Sequence, residues 1–183
     1  MLKKLLLVAL LLTQTPRADQ QYFVDGNTFR HKTLGISFRV PSGWGPDQVV
    51  SQDEGAIFKL VAPTGRTTIA VLISPHRQSG SDAPDESESR TLDQVEKEIA
   101  TTIRGFRFTR MGTRKVDNHL VVLLNASASG GHRLHRIAVV PDGPKMCILW
   151  MQSNKETFDS YLPNFEGVLD SFTWEKQTQG EEK

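Results

Sequence analysis

Apolar and polar positions along the chain follow two different periods, and the changes of period mark out the elements. Residues 28–31 and 36–40 are short extended runs about a polar turn ending in Leu34 and Gly35, which predicts a hairpin. After the break Pro41-Ser42-Gly43-Trp44-Gly45-Pro46, residues 56–62 and 68–74 are joined by Pro63-Thr64-Gly65-Arg66 and predict a second hairpin. Residues 75–90 hold Ser, Asp, Glu, Pro and Gly with Ala83 as the one apolar side chain apart from proline, too polar to pack, and predict a mobile loop.

Thr91 and Gln94 have capping-box spacing, and Leu92, Val95, Ile99 and Ile103 recur on one face before Gly105, so a helix is expected to start at Thr91. Four extended runs follow, at 106–116, 120–129, 132–140 and 145–153. They are separated by the turn chemistry of Asp117-Asn118, Gly130-Gly131 and Pro141-Asp142-Gly143-Pro144. Connections this short hold no crossover helix, so these strands must be antiparallel. A second helix is expected from Ser153 or Asn154, where Ser153 and Glu156 again have capping-box spacing, with Phe158, Tyr161, Leu162, Phe165, Leu169 and Phe172 at helical intervals. Pro163 falls inside it and predicts a kink or restart, with 162–171 the better-formed part.

Three strands are apolar on both alternating sets, around 69–73, 120–124 and 146–151, where Met146, Ile148 and Trp150 oppose Cys147, Leu149 and Met151. Such strands are covered on both faces. The expected fold class is therefore α+β, a three-layer α/β/α sandwich with a central, mainly antiparallel sheet and one helix layer on each face.

The first residues change the picture of where this domain works. Lys3 and Lys4 precede eight apolar residues, 5–12, and a polar stretch with Pro16 and Ala18, the layout of a secretory signal peptide. Eight apolar residues are far fewer than the roughly 20 that a spanning helix needs. No cysteine follows the run to accept a lipid, so the mature chain is expected to be periplasmic or secreted rather than a lipoprotein. The organisation read from the sequence is a signal peptide at 1–18, a short segment at 19–27, one domain at 28–174 with the loop at 75–90, and a polar tail at 175–183. Removing 1–18 leaves nineteen basic against twenty-one acidic groups, a net charge of −2, which gives no global field toward nucleic acid.

Candidate chemistry is sparse. His132 and His135 would point to opposite faces of a strand, and the single Cys147 lies in an apolar run, so no metal ligands are assigned. Ser127-Ala128-Ser129-Gly130-Gly131 lacks the nucleophile-elbow pattern, and Gly43-Trp44-Gly45 lacks the third glycine of a phosphate loop; no catalytic residue and no cofactor follow. Asp82, Asp85, Glu86 and Glu88 are dispersed carboxylates without calcium-loop spacing, open either to a cation or simply to solvent. The strongest polar signal is Arg104, Arg107, Arg110, Arg114 and Lys115 with Phe106 and Phe108 interleaved, followed by Arg133 and Arg136. It has two readings, a patch for an anionic partner or charges that keep a strand edge from pairing. Strand parity places Arg107 and Lys115 together on an exposed side, away from Arg110 and Arg114, unless a bulge near Gly112 shifts the register.

The element order, together with Gly35-Ile36-Ser37-Phe38-Arg39-Val40-Pro41-Ser42-Gly43-Trp44 and the ending Phe165, Leu169, Ser171-Phe172, resembles the PsbP-like family from about residue 28 to 174. The resemblance implies the same three-layer sandwich, working as a binding or assembly module with no catalytic residues to transfer. The function expected is thus a non-catalytic exported monomer that binds another protein or an envelope component, with Arg107, Lys115 and Trp44 as candidate binding residues. The alternative is a small-ligand or lipid carrier with an apolar pocket between helix and sheet. Neither nucleic acid nor a membrane span enters either reading.

Overall fold

A computed structural model describes residues 22–47, 56–76, 87–102, 105–128 and 130–175. The proposed signal peptide, the carboxylates Asp82, Asp85 and Glu86, and the end of the polar tail lie outside these residues. The elements in chain order are β1 (Tyr22–Asp25), β2 (Thr28–His31), β3 (Ile36–Arg39), β4 (Gly45–Pro46), β5 (Ala56–Val61), β6 (Thr68–Pro75), α1 (Ser87–Thr102), β7 (Phe106–Val116), β8 (His119–Ala128), β9 (Arg133–Asp142), β10 (Lys145–Asn154), α2 (Phe158–Asp170) and β11 (Thr173–Trp174). They form a four-stranded sheet in the order β1-β2-β3-β11 and a seven-stranded sheet in the order β4-β5-β6-β10-β9-β8-β7. Every strand pairing among the described residues is antiparallel, as the short connections require for β7 to β10 and for the two hairpins.

Both predicted hairpins and all four later strands form close to their expected bounds. The turn between β7 and β8 is two residues long, with Asp117 and Asn118 at φ 46° and 63°, the left-handed pair that matches the twist of a hairpin. The first hairpin does not join the large sheet. Residues 41–44 turn the chain away after β3, and β3 pairs instead with β11 from the far end of the chain, Ile36 opposite Trp174. Residues 22–25, assigned above to a short leading segment, supply β1 of this small sheet.

The helices start elsewhere than expected. α1 begins at Ser87, so residues 87–90 of the expected loop are helical. α2 begins only at Phe158 after Thr157, because β10 keeps its pairing with β9 through Asn154 and uses Ser153 as a strand residue. Ser153 is fully buried and joins Thr67 and Thr157 in a chain of hydroxyls, at 2.8 and 2.9 Å. Pro163 does not restart α2, which is one continuous helix from Phe158 to Asp170 with the proline inside it. The one helical hydrogen bond that it removes would have reached Asp159, and both residues are exposed, so the loss falls on the solvent side of the helix.

Alternate residues of β10 divide between two buried clusters. Cys147, Leu149 and Met151 pack with Phe165, Val168 and Leu169 of α2 and with Phe29, Ile36 and Phe38 of the small sheet. Phe29 stacks between Phe38 and Phe58, with ring centroids 4.6 and 4.2 Å away. Met146 and Ile148 pack with Val122, Leu124, Ile137 and Val139 beneath Val95 and Ile99 of α1. The double apolarity of this strand therefore has its cause in burial from both sides.

Candidate functional site

An open groove of about 800 Å³ lies on the large sheet, over β5, β6, β10 and the start of β9. Strand register builds it in rows, because residues opposite one another on neighbouring strands present side chains to the same face. One row runs Lys59, Ala70, Trp150, Ile137 and the next Val61, Thr68, Gln152, His135. Beyond them Arg133 lies opposite Asn154, and Arg66 stands in the turn between β5 and β6, so the end of the groove near that turn is polar and cationic. Toward Ala56 and Leu72 the lining is apolar.

Trp150 is the centre of the floor. Its Nε1 donates to Nδ1 of His135 at 2.8 Å, and the Phe106 ring stands edge-on to both, with centroids 5.5 Å from Trp150 and 4.8 Å from His135. The hydrogen bond requires a bare Nδ1, so the proton of neutral His135 sits on Nε2. Burial, and then the charge of Arg133, lowers the His135 pKa to about 4. This imidazole is therefore an orienting acceptor, uncharged at neutral pH. Lys59 is tied to Asp47 at 3.4 Å. Arg66 and Arg133 are exposed and have no acidic partner among the described residues.

The basic stretch of β7 does not form one patch. Between Arg110 and Gly112 the pairing with β8 shifts by one residue, Arg110 lying opposite Leu124 and Gly112 opposite Leu123, which leaves Met111 as a bulge. Gly112 takes φ 131°, where a side chain is rarely tolerated. Arg110 consequently reaches Asp93 and Glu96 of α1, which raise its pKa, while Arg114 reaches Glu166 and Asp170 of α2 at 3.0 and 3.1 Å. Arg107 and Lys115 are both exposed, but the bulge sends them to opposite faces, a correction to their shared side. Arg107 borders a smaller cleft of about 140 Å³ with Thr109, Asn125 and Phe158. Trp44 is packed in the core, 8% exposed, its ring edge-on to Tyr161 at 5.6 Å. The structure thus does not bring Arg107, Lys115 and Trp44 together.

Other chemistry is quiet. Cys147 is a buried free thiol whose pKa burial pushes up, which keeps the reactive thiolate away. No group of three metal-capable side chains is found among the described residues. Nor is any described helix long and apolar enough to cross a membrane.

No protein-family model matches the chain, and a search of curated proteins finds no relative. Solved structures are similar in fold. The solution structure of cyanobacterial PsbP (CyanoP) from Synechocystis superposes with a TM-score of 0.52 at 14% identity, over 81% of this chain and 91% of that one. LpqN, involved in cell envelope biogenesis of Mycobacterium tuberculosis, superposes with a TM-score of 0.51 at 14% identity, over 75% of this chain and 82% of that one. At this identity the likeness is one of fold, and at that level it bears out the PsbP-like resemblance.

Proposed function

We propose that this protein, built on a PsbP-like fold, is a non-catalytic binding module that is exported and docks a partner protein or envelope component in the groove over Trp150. The layers are read as α1 on one face of the seven-stranded sheet and α2 with the small sheet on the other. The single observation that carries the reading is an open concave floor with an aromatic centre and two arginines unpaired among the described residues. Aromatic residues and arginine are the side chains that dominate binding at protein interfaces. A carrier of a small apolar ligand needs an enclosed apolar pocket, whereas Thr68, Gln152 and Asn154 make part of this open lining polar. An enzyme needs an activated group, and neither neutral His135 nor buried Cys147 supplies one. The envelope setting draws on the signal-like residues 1–18 and agrees with the role stated for LpqN.

The test is capture from the protein's own envelope extract, run in parallel on the parent and on an Arg66→Glu/Arg133→Glu variant, with bound proteins and small molecules both identified. A species held by the parent and lost by the variant is expected. Identical captures by the two would remove the groove from the function.

A further inference from the structure

We propose that the groove takes an acidic, extended polypeptide segment of the partner, with an apolar side chain on Trp150 and a carboxylate four residues away at Arg66 and Arg133. The proposal rests on the groove being the binding surface, as argued above. Its first support is charge. Lys59 is held by Asp47, so among the described residues the surplus is carried by Arg66 and Arg133, both at the end of the groove near the β5–β6 turn. Its second support is spacing. Asn154, the residue opposite Arg133, is four positions along β10 from Trp150, or about 13 Å in an extended strand. An extended partner segment has the same rise, and its residues at i and i+4 face one side, so one anchor and one acid fit together.

The third support is the lining between those two points. Thr68 and Gln152 present a hydroxyl and an amide where a main chain would offer N–H and C=O groups. An acyl chain laid there would strip water from these groups and from Asp47 without replacing the hydrogen bonds, which is costly. The polar lining therefore favours a polypeptide over a lipid tail.

The experiment is selection of a random dodecapeptide library on the folded protein, followed by titration of the enriched peptides by calorimetry at low salt. Enriched sequences should pair an apolar residue with Asp or Glu at a spacing of four. Arg66→Glu/Arg133→Glu, which changes exposed side chains, should weaken their binding by roughly tenfold or more. Enrichment of neutral or basic peptides, or of none, overturns the proposal. A Thr68→Trp variant, which fills the floor, separates the two levels of the argument. Non-acidic peptides that it weakens leave the groove as the binding surface while the acidic segment is wrong. Peptides that neither variant weakens remove the groove itself. Sedimentation with phosphatidylglycerol vesicles is the remaining arm, and retention that the double variant abolishes, with no peptide enriched, makes the occupant a lipid surface and overturns the proposal.

Discussion

Arg110 and Arg114 stand on one strand and hold opposite helices, the first bound to Asp93 and Glu96 of α1 and the second to Glu166 and Asp170 of α2. In a regular strand residues four apart face the same side. The Met111 bulge breaks that parity, so a single residue decides which helix each arginine meets. Deleting Met111 should restore regular alternation, strip Arg114 of both carboxylates and cost more than about 2 kcal/mol in urea unfolding, as misplaced buried or paired groups do. A stability within error of the parent would show that the bulge does not set the helix contacts.

Gly35 should be far less tolerant than Gly26, although their backbones are similar, at φ 66° and 59°. A Cβ at Gly26 meets open space, whereas one at Gly35 collides with the carbonyl oxygen of Glu175, next to the point where Glu175 N–H donates to Gly35 at 3.0 Å. Gly26→Ala should then cost about 1–2 kcal/mol for the left-handed backbone alone. Gly35→Ala should exceed about 3 kcal/mol, because the β3–β11 contact must also shift. Equal losses in thermal or urea unfolding would mean that the chain end is not pinned there.

Phe165 is fully buried in the cluster shared by α2 and both sheets. Phe165→Ala should cost about 3–5 kcal/mol, the range for core phenylalanine truncations. A loss well under 1 kcal/mol, read by urea unfolding, would mean that α2 is not docked on the sheet.

Acid should weaken the fold through His135. Burial and Arg133 hold its pKa at about 4, so the native imidazole stays neutral while the unfolded one takes a proton below about pH 6.5. A histidine with a lowered native pKa contributes stability above the unfolded pKa. That contribution falls as pH drops from about 6.5 and is gone below about 4, an effect of about 3 kcal/mol. Burial lowers the His31 pKa as well, which acts in the same direction. His135→Gln keeps an acceptor for Trp150 without a titrating proton, so the loss in urea midpoint between pH 7 and pH 4.5 should shrink. An unchanged loss would assign the acid sensitivity to other groups.

Export is tested at the other end of the chain. Leu7→Asp/Leu10→Asp interrupts the apolar run and should leave precursor in the cytoplasm on fractionation. Unaltered export would exclude that run as the signal.

The sequence reached the long strands because their evidence is local: extended stretches of ten or so residues, apolar in β8 to β10 and basic with interleaved aromatics in β7, between strong turns such as Asp117-Asn118. It also reached the two buried faces of the sheet through the opposed apolar sets of 146–151. β4 and β11 are two residues each, too short for any period to show, and β11 exists only because residue 173 finds Ser37. The bulge at Met111 left a trace in Gly112, but parity beyond it depends on the partner strand β8. The groove was the least legible part. Trp150 looks like one more apolar strand residue until register sets it between Ala70 and Ile137, on the face that carries Arg133 farther along, and that alignment of three strands has no signature within any one of them.

The pairing of β3 with β11 has a consequence in time. Ser37 and Thr173 share a 2.7 Å hydrogen bond across 136 positions, and Arg39 N–H donates to Ser171 Oγ across 132. Closing so long a loop is slow, and the small sheet cannot be completed while the chain is still being synthesised. Until residue 174 has been made, Phe29 and Phe38 lack the helix and strand that cover them. The chain therefore remains incompletely folded through nearly the whole of its synthesis.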